Sequence, residues 1–385
     1  MGAPIRNPME DSAALEVAAN FLKKNQVVGM PTETVYGLAG NALHEESLTR
    51  IFRTKERPTF DPLIVHISPK MLNEGAGDPC SRLASLHLVD LSALSDAVRT
   101  SVDALVTAFW PGPLTLVLPK HPAVPDLATS GLPRVALRMP AHPVAQSLID
   151  AAGFPLAAPS ANRFGRISPT SALDVQKELG DRIPYILDGG PCTIGVESTV
   201  LGFLEDGTPV CLRPGGLPME AISDLLDREV LGREALETAL EDPRSSDVGS
   251  APEIRLQAPG MLASHYAPKK TLTLLQDPDM SLIPELKEYA RETYIGETLG
   301  LLLLSDPVEP NLAEQLRQAT GRKWIVRGFS QDGSLEEIAR SLFGALRALD
   351  DSDAGKLFAE VPRDRSGLGF AIADRLTRAA AKRGE

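Results

Sequence analysis

Pro31-Thr32-Glu33-Thr34-Val35-Tyr36-Gly37-Leu38 is the stretch around which this chain is organised. Ahead of it, Val27-Val28-Gly29-Met30 is apolar, partly β-branched and stopped by a proline, and reads as a short buried strand. A strand running into Pro-Thr-Glu-Thr sets hydroxyls and a carboxylate at a sheet's edge, where α/β proteins usually hold ligands. Leu48, Ile51 and Phe52 then mark one helix face at i, i+3, i+4 spacing. That helix runs into Lys55-Glu56-Arg57-Pro58, so two cations are expected on an exposed last turn, with Pro58 as the stop. Pro62-Leu63-Ile64-Val65-His66-Ile67 reads as a second buried strand, which completes a strand–helix–strand unit. A solvated basic helix end, favoured by the helix dipole, is the plain structural account of Lys55 and Arg57.

At 385 residues the chain exceeds the usual single-domain size, so two domains are expected. With 43% apolar and 23% charged residues it has the composition of a globular protein with a large core. A net charge of −12 repels nucleic acid and anionic membrane in general, so phosphate binding needs a local basic pocket. Cys80, Cys192 and Cys211 form no CxxC and no metal spacing, which suits a reducing cytoplasm. Residues 1–12 are polar and unlike a signal peptide, and no apolar run reaches the roughly 18 residues of a membrane span.

Along the rest of the chain, residues 13–25 read as a helix leading into the first strand. Helices are expected around 83–94, 97–108 and 144–152, and strands over 114–118, 135–140, 156–158, 185–188, 197–201 and 210–213. Without regular βαβ alternation, these imply a twisted mixed sheet with helices. Residues 227–258 are rich in Glu, Asp, Arg, Pro, Ser and Gly and read as a linker. Ala258-Pro259-Gly260-Met261-Leu262-Ala263-Ser264-His265-Tyr266-Ala267-Pro268 interrupts that polar run and would serve as an apolar clip. Beyond it, strands over 271–275, 298–304, 323–329 and 356–361 alternate with helices near 281–293, 311–319, 335–349 and 370–381, which is the pattern of a Rossmann-like parallel αβ domain. Ser366-Gly367-Leu368-Gly369 lacks the full dinucleotide fingerprint and reads as helix-start geometry.

No Gly-x-x-x-x-Gly-Lys-Ser/Thr, HExxH or GxSxG occurs, so any nucleotide site is assembled from dispersed side chains. Lys55, Arg57, Arg134, Arg138, Arg163, Arg166 and Arg213 are candidates, since guanidinium forks suit a triphosphate's paired oxygens. Ser160-x-Asn162 adds neutral donors, although Pro159-Ser160-Ala161-Asn162 is also an ordinary Ser/Asn turn. His66 at a strand end is as readily a core histidine.

Taken together, Pro31-Thr32-Glu33-Thr34-Val35-Tyr36-Gly37-Leu38, Lys55-x-Arg57-Pro58, Asp61-Pro62-Leu63-Ile64-Val65-His66-Ile67, Ala157-Ala158-Pro159-Ser160-Ala161-Asn162, Ser168-Pro169-Thr170, Asp188-Gly189-Gly190, Gly195-Val196-Glu197-Ser198-Thr199-Val200 and Leu212-Arg213-Pro214-Gly215 resemble the YrdC-like family of threonylcarbamoyl-adenylate synthases. Asp61 stands where that family more often has Asn. The resemblance implies a YrdC-like catalytic domain over residues 13–226, a linker over 227–269 whose segment 259–268 covers the active site, and a C-terminal Rossmann-like domain over 270–385 of the two-domain branch. It implies Lys55 and Arg57 as catalytic residues, and ATP binding by these with Thr59, Arg134, Ser160, Asn162, Ser168 and Arg213. It implies threonine binding by Thr32, His66, Arg138, Ala158 and Ser198, with His265 and Tyr266 on the covering segment. The implied reaction joins L-threonine, bicarbonate and ATP to give threonylcarbamoyl-AMP and diphosphate, for threonylcarbamoyladenosine formation in tRNA. Mg²⁺ is expected on the ATP phosphates, with no dedicated protein metal site, and downstream tRNA threonylcarbamoyl transferase proteins are the expected partners. Stable direct tRNA binding is not expected at this net charge. A YrdC-type RNA-binding regulatory module and a carbamoyltransferase of hydrogenase maturation are the alternatives, and the second normally carries CxxC zinc motifs that are missing here.

Overall fold

The computed structural model describes residues 2–232, 265–275, 282–291, 297–304, 311–329 and 334–381. The chain divides into two compact units. The first comprises Met1–Phe164, Pro169–Thr193 and Glu197–Met261, and the second comprises Gly165–Ser168, Ile194–Val196 and Leu262–Glu385.

The first unit is built on ten strands: β1 (Ile5–Arg6), β2 (Val28–Met30), β3 (Gly37–Asn41), β4 (Ile64–His66), β5 (Leu114–Pro119), β6 (Arg134–Arg138), β7 (Leu156–Ala157), β8 (Ile186–Leu187), β9 (Thr199–Phe203) and β10 (Pro209–Arg213). They form one sheet in the order β1-β8-β2-β3-β7-β4-β6-β5-β9-β10. The sheet is mixed, as expected: β4 and β6 run parallel, as do β5 and β9, while β6 and β5 are antiparallel. Every residue of β5 is buried. Its sequence therefore shows no apolar/polar alternation, which is the signature of a strand covered on both faces.

Three local departures from the sequence reading have physical causes. Residues 31–36 turn the chain back on itself, so that β3 pairs antiparallel with β2 before the helix begins. Gly-Leu-Ala-Gly-Asn is a poor strand by propensity, yet a Cβ at Gly40 would lie 2.7 Å from Ser47 Oγ and 3.1 Å from Ile51 Cδ1, so glycine lets the helix pack closely on this strand without moving either side chain. The helix Glu45–Lys55 is terminated by Glu56 in the left-handed region (φ 55°), two residues before Pro58. Residues 83–94, read as one helix, are instead the end of the helix Pro79–Ser85, capped by Asp78, and a 3₁₀ turn at Leu91–Ala93, with His87 at positive φ between them.

In the second unit, β11 (Thr271–Leu274), β12 (Leu299–Leu303), β13 (Trp324–Gly328) and β14 (Lys356–Ala359) make an all-parallel sheet in the order β11-β14-β12-β13. Helices Leu282–Arg291, Leu312–Thr320, Leu335–Asp350 and Gly367–Ala380 alternate with them, as the sequence pattern predicts. Leu299, Leu301, Leu303, Trp324 and Phe358 are central to a core here. Residues 233–264 lie outside the described residues; with them go most of the expected linker and the first part, 259–264, of the expected covering segment.

Candidate active site

Strand geometry alone assembles one end of the site. Side chains two apart share a face, and register places His66 beside Arg138, Arg138 beside Thr115, and Thr115 beside Val200. On this face Ile64, Val117, Ala136 and Val200 form a small apolar floor with Val210 and Leu212. The alternate residues Val65, Leu116, Leu137 and Leu201 face the main core. His66, Arg138 and Thr115 therefore stand in a row at one margin of the floor. Arg134 shares their face but lies four residues from Arg138, about 13 Å along the strand.

Arg138 is held from two sides. Its Nε donates to the Gly112 carbonyl at 3.2 Å, and its Nη2 lies 2.7 Å from Glu33 Oε1. Glu33 comes from the turn between β2 and β3, which the Thr32 hydroxyl ties together by donating to the Val35 carbonyl at 2.6 Å. Burial works against ionisation of Glu33, but the Arg138 charge and hydrogen bond outweigh it and hold the carboxyl below its ordinary value. Burial, aided by the Arg138 charge, pushes His66 down to about 3, so the ring is neutral at physiological pH. Ser198 Oγ meets Thr115 Oγ1 at 2.7 Å, and Arg213 Nη2 donates to the Ser198 carbonyl at 2.9 Å. A Cβ on Gly215 would lie 2.3 Å from the Ser198 carbonyl carbon, so glycine is required where this loop crosses the Ser198 peptide.

The second group gathers at the end of the helix Glu45–Lys55, and here the structure corrects the sequence reading. Lys55 and Arg57 are not on an exposed turn: they are 1% and 8% exposed. Lys55 follows Leu48, Ile51 and Phe52 by seven, four and three residues, which puts it on the buried stripe. Its Nζ donates to the carbonyls of Ser160 and Asn162, and its own carbonyl accepts from Phe164 N at 2.9 Å. Burial, with the Arg57 charge, lowers the Lys55 pKa well below 10.5. Arg57 turns away to a buried partner, with Nη2 2.8 Å from Asp61 Oδ2 and 2.9 Å from the Pro62 carbonyl. Ser160 forms an isolated bridge to Gly37, which ties this turn to β3.

Among the residues marked by the sequence, His66, Arg138, Ser198 and Arg213 thus meet, as do Lys55, Ser160 and Asn162. Ala158 lies beside the first group, its N–H donating to the Ile64 carbonyl at 3.0 Å. Thr59 is exposed and Arg134 half-buried. Ser168 belongs to the second unit, as do His265 and Tyr266. There the Tyr266 ring stacks on Phe343 at 5.4 Å and lies 5.2 Å beneath the Arg375 guanidinium, while Ala267 N donates to the Gly165 carbonyl at 2.8 Å. Sequence reasoning missed Thr115 and the Arg138 pairing of Glu33; a hydroxyl inside the apolar run Leu114–Pro119 was the available signal for Thr115. Among the described residues, no group of three or more His, Cys, Asp or Glu could hold a metal ion, and no helix is long and apolar enough to cross a membrane.

A family model described as "Telomere recombination" matches residues 20–215, and one described as "Threonylcarbamoyl-AMP synthase, C-terminal domain" matches residues 228–381. A threonylcarbamoyl-AMP synthase of Pyrococcus abyssi is 37% identical over 370 residues, covering 96% of this chain and 94% of the relative. One of Bacillus subtilis is 36% identical over 370 residues, covering 95% and 92%. The crystal structure of P. abyssi Sua5 complexed with L-threonine superposes with a TM-score of 0.76 at 35% identity, covering 98% of both chains.

Proposed function

We propose how this site works from one premise: the chain belongs to the two-domain threonylcarbamoyl-AMP synthase family, and it makes threonylcarbamoyl-AMP for threonylcarbamoyladenosine formation in tRNA. The observation that carries the residue assignment is the row of His66, Arg138 and Thr115 at one margin of an apolar floor, with Ser198 bonded to Thr115. Arg138 binds the threonine carboxylate. Thr32, Ala158, the neutral His66 ring and the Ser198–Thr115 hydroxyl pair line the pocket for the remaining groups. The neutral amine and bicarbonate condense to a carbamate with loss of water. A carbamate oxygen then bonds to the α-phosphorus as the bond from that phosphorus to the bridging oxygen breaks, and diphosphate leaves.

The protein's part in this is positioning and charge neutralisation rather than covalent catalysis. The apolar floor of Ile64, Val117, Ala136 and Val200 keeps water from the labile carbamate. Lys55, Arg134 and Arg213 answer the roughly three to four negative charges of the triphosphate, with Arg57 supporting the helix end through Asp61 and Thr59, Ser160 and Asn162 as neutral donors. Lys55 also orders the Ser160–Asn162 turn through its two carbonyl contacts. Mg²⁺ enters as part of the ATP substrate, held mainly by phosphate oxygens and water. The burial of Cys80, Cys192 and Cys211 suits a cytoplasmic protein, and the labile product calls for tRNA threonylcarbamoyl transferase proteins as its acceptors. Tyr266, packed between Phe343 and Arg375, supports an anchoring role in the second unit for the end of the 259–268 segment. Incubation with ATP, labelled bicarbonate and L-threonine tests the assignment. Label should appear in a threonine adenylate with the wild-type protein and fall at least a hundredfold with Arg138→Gln; undiminished product with that variant removes the pocket assignment.

A further inference from the structure

We propose that Glu33 binds the amino group of the substrate amino acid, so that Glu33 and Arg138 together form a preassembled complement to the zwitterion. The inference rests on the reading of Arg138 and its neighbours as the threonine pocket, and it adds the pocket's anionic half.

Both side chains are buried, at 6% and 4% exposure, and their charged atoms stand 2.7 Å apart. Such a pair adds little stability over apolar residues of equal volume, because desolvation cancels most of the attraction. Its presence at the margin of the candidate site points to recognition instead. The pair is also incompletely bonded. The Arg138 contact and the backbone N–H groups of Glu33 and Ala141 help hold the carboxylate ionised, yet neither Glu33 oxygen nor Arg138 Nη2 has a hydrogen bond of full geometry, so the site keeps room for a further donor. Buried carboxylates normally fill their lone pairs. An ammonium brought beside Glu33 would fill them.

Substrate chemistry supplies the rest. Threonine carries its carboxylate and ammonium on one carbon, so binding the first at Arg138 brings the second to the same spot. The other neighbours bring no negative charge to an ammonium. His66 is neutral, Arg213 is a cation, and the Ser198 and Thr115 hydroxyls are bonded to each other. Glu33, held ionised by Arg138, is the carboxylate already in contact with the carboxylate-binding residue. A dipole aligned head-to-tail against an existing ion pair keeps all four charges compensated, which a lone Arg138 would not.

Titration calorimetry on the full-length protein separates this role from two bland ones. The ligands are L-threonine and 2,3-dihydroxybutyrate, which replaces the ammonium by a hydroxyl, with ATP as the folding control. Glu33→Gln should weaken threonine about ten- to a hundredfold, the range for a lost hydrogen bond to a charged group. It should leave dihydroxybutyrate and ATP within about twofold. Glu33→Asp, which keeps the charge, should lose less and for threonine alone, and it provides the same comparison if the Gln variant does not fold. Equal loss of both acids would mean that Glu33 only orients Arg138, and it overturns the proposal. Unchanged or tighter threonine would mean that Glu33 is a stand-in displaced by the substrate carboxylate, and this also overturns it. Loss of both acids with Arg138→Gln but no selective loss with Glu33→Gln refutes this inference alone. Wild-type threonine affinity in Arg138→Gln removes the pocket reading beneath it.

Discussion

Replacing Arg57 by methionine should destabilise the first unit far more than a helix-end cation would. The guanidinium sits 2.8 Å from Asp61 Oδ2, with both side chains no more than 5% exposed, and it also serves the carbonyls of Asp61 and Pro62. Removing one partner of a buried pair costs about 3–5 kcal/mol, whereas an exposed substitution costs within about 0.5 kcal/mol. At about 2–4 °C per kcal/mol for a unit of this size, the loss amounts to a drop in Tm of about 6–20 °C. Asp61→Asn removes the other charge of the pair, so Arg57→Met/Asp61→Asn should regain at least about 2 kcal/mol relative to additivity. The chain's two tryptophans make this measurable: Trp110 belongs to the first unit and Trp324 to the second. In a Trp324→Phe background, urea unfolding followed by fluorescence reports the first unit alone. A loss below about 1 kcal/mol, or strictly additive effects in the pair, would refute the reasoning.

Lys55 should make both stability and ATP affinity pH-dependent. Burial and Arg57 depress its pKa in the folded protein below the 10.5 of the unfolded chain, so the unfolded chain holds the proton more tightly. Stability should therefore rise as pH climbs from the depressed value toward 10.5. ATP favours the protonated amine and should bind more weakly over the upper part of that range; Lys55→Met should flatten both slopes in melts and titrations. Gly215→Ala, which drives a methyl into the Ser198 peptide, should raise the threonine KM at least about tenfold with the ATP KM little changed. Equal changes in both would show a general loss of folding. Threonine should be turned over about ten to a hundred times more efficiently than valine, because valine leaves the pocket's buried polar groups unpaired. Diphosphate release in competition assays reads that ratio.

The second unit was legible because parallel strands buried on both faces leave unbroken apolar runs, such as Leu299–Leu303, between amphipathic helices. The mixed sheet was legible only as a class. Its ten-strand order depends on pairings between distant segments, such as Gly40 with Ala157, that no local pattern encodes. β3 was missed because glycine there serves packing rather than propensity. Lys55 shows a different failure. Its charge suggested solvent, while its spacing from Leu48, Ile51 and Phe52 already assigned it to the buried face. The carbonyls that receive its protons come from 105 and 107 residues further along, which made burial tolerable and the conflict invisible locally. His66 and Arg138 were identified one by one, but their adjacency needed the parallel register of β4 and β6.

The two-sided character of the central strands also divides the labour of variation. On β6, Val135 and Leu137 belong to the large core, while Arg134, Ala136 and Arg138 face the site. The same parity runs through β4, β5 and β9. A change at one residue in a strand therefore reaches the small cluster beside the candidate site, and a change at its immediate neighbour reaches the large core. A saturation library over these strands should split by odd and even position into two phenotypes, altered amino-acid preference with normal expression and lost expression with normal preference. Substrate scope can then drift on one face of the sheet while the other stays under selection for folding.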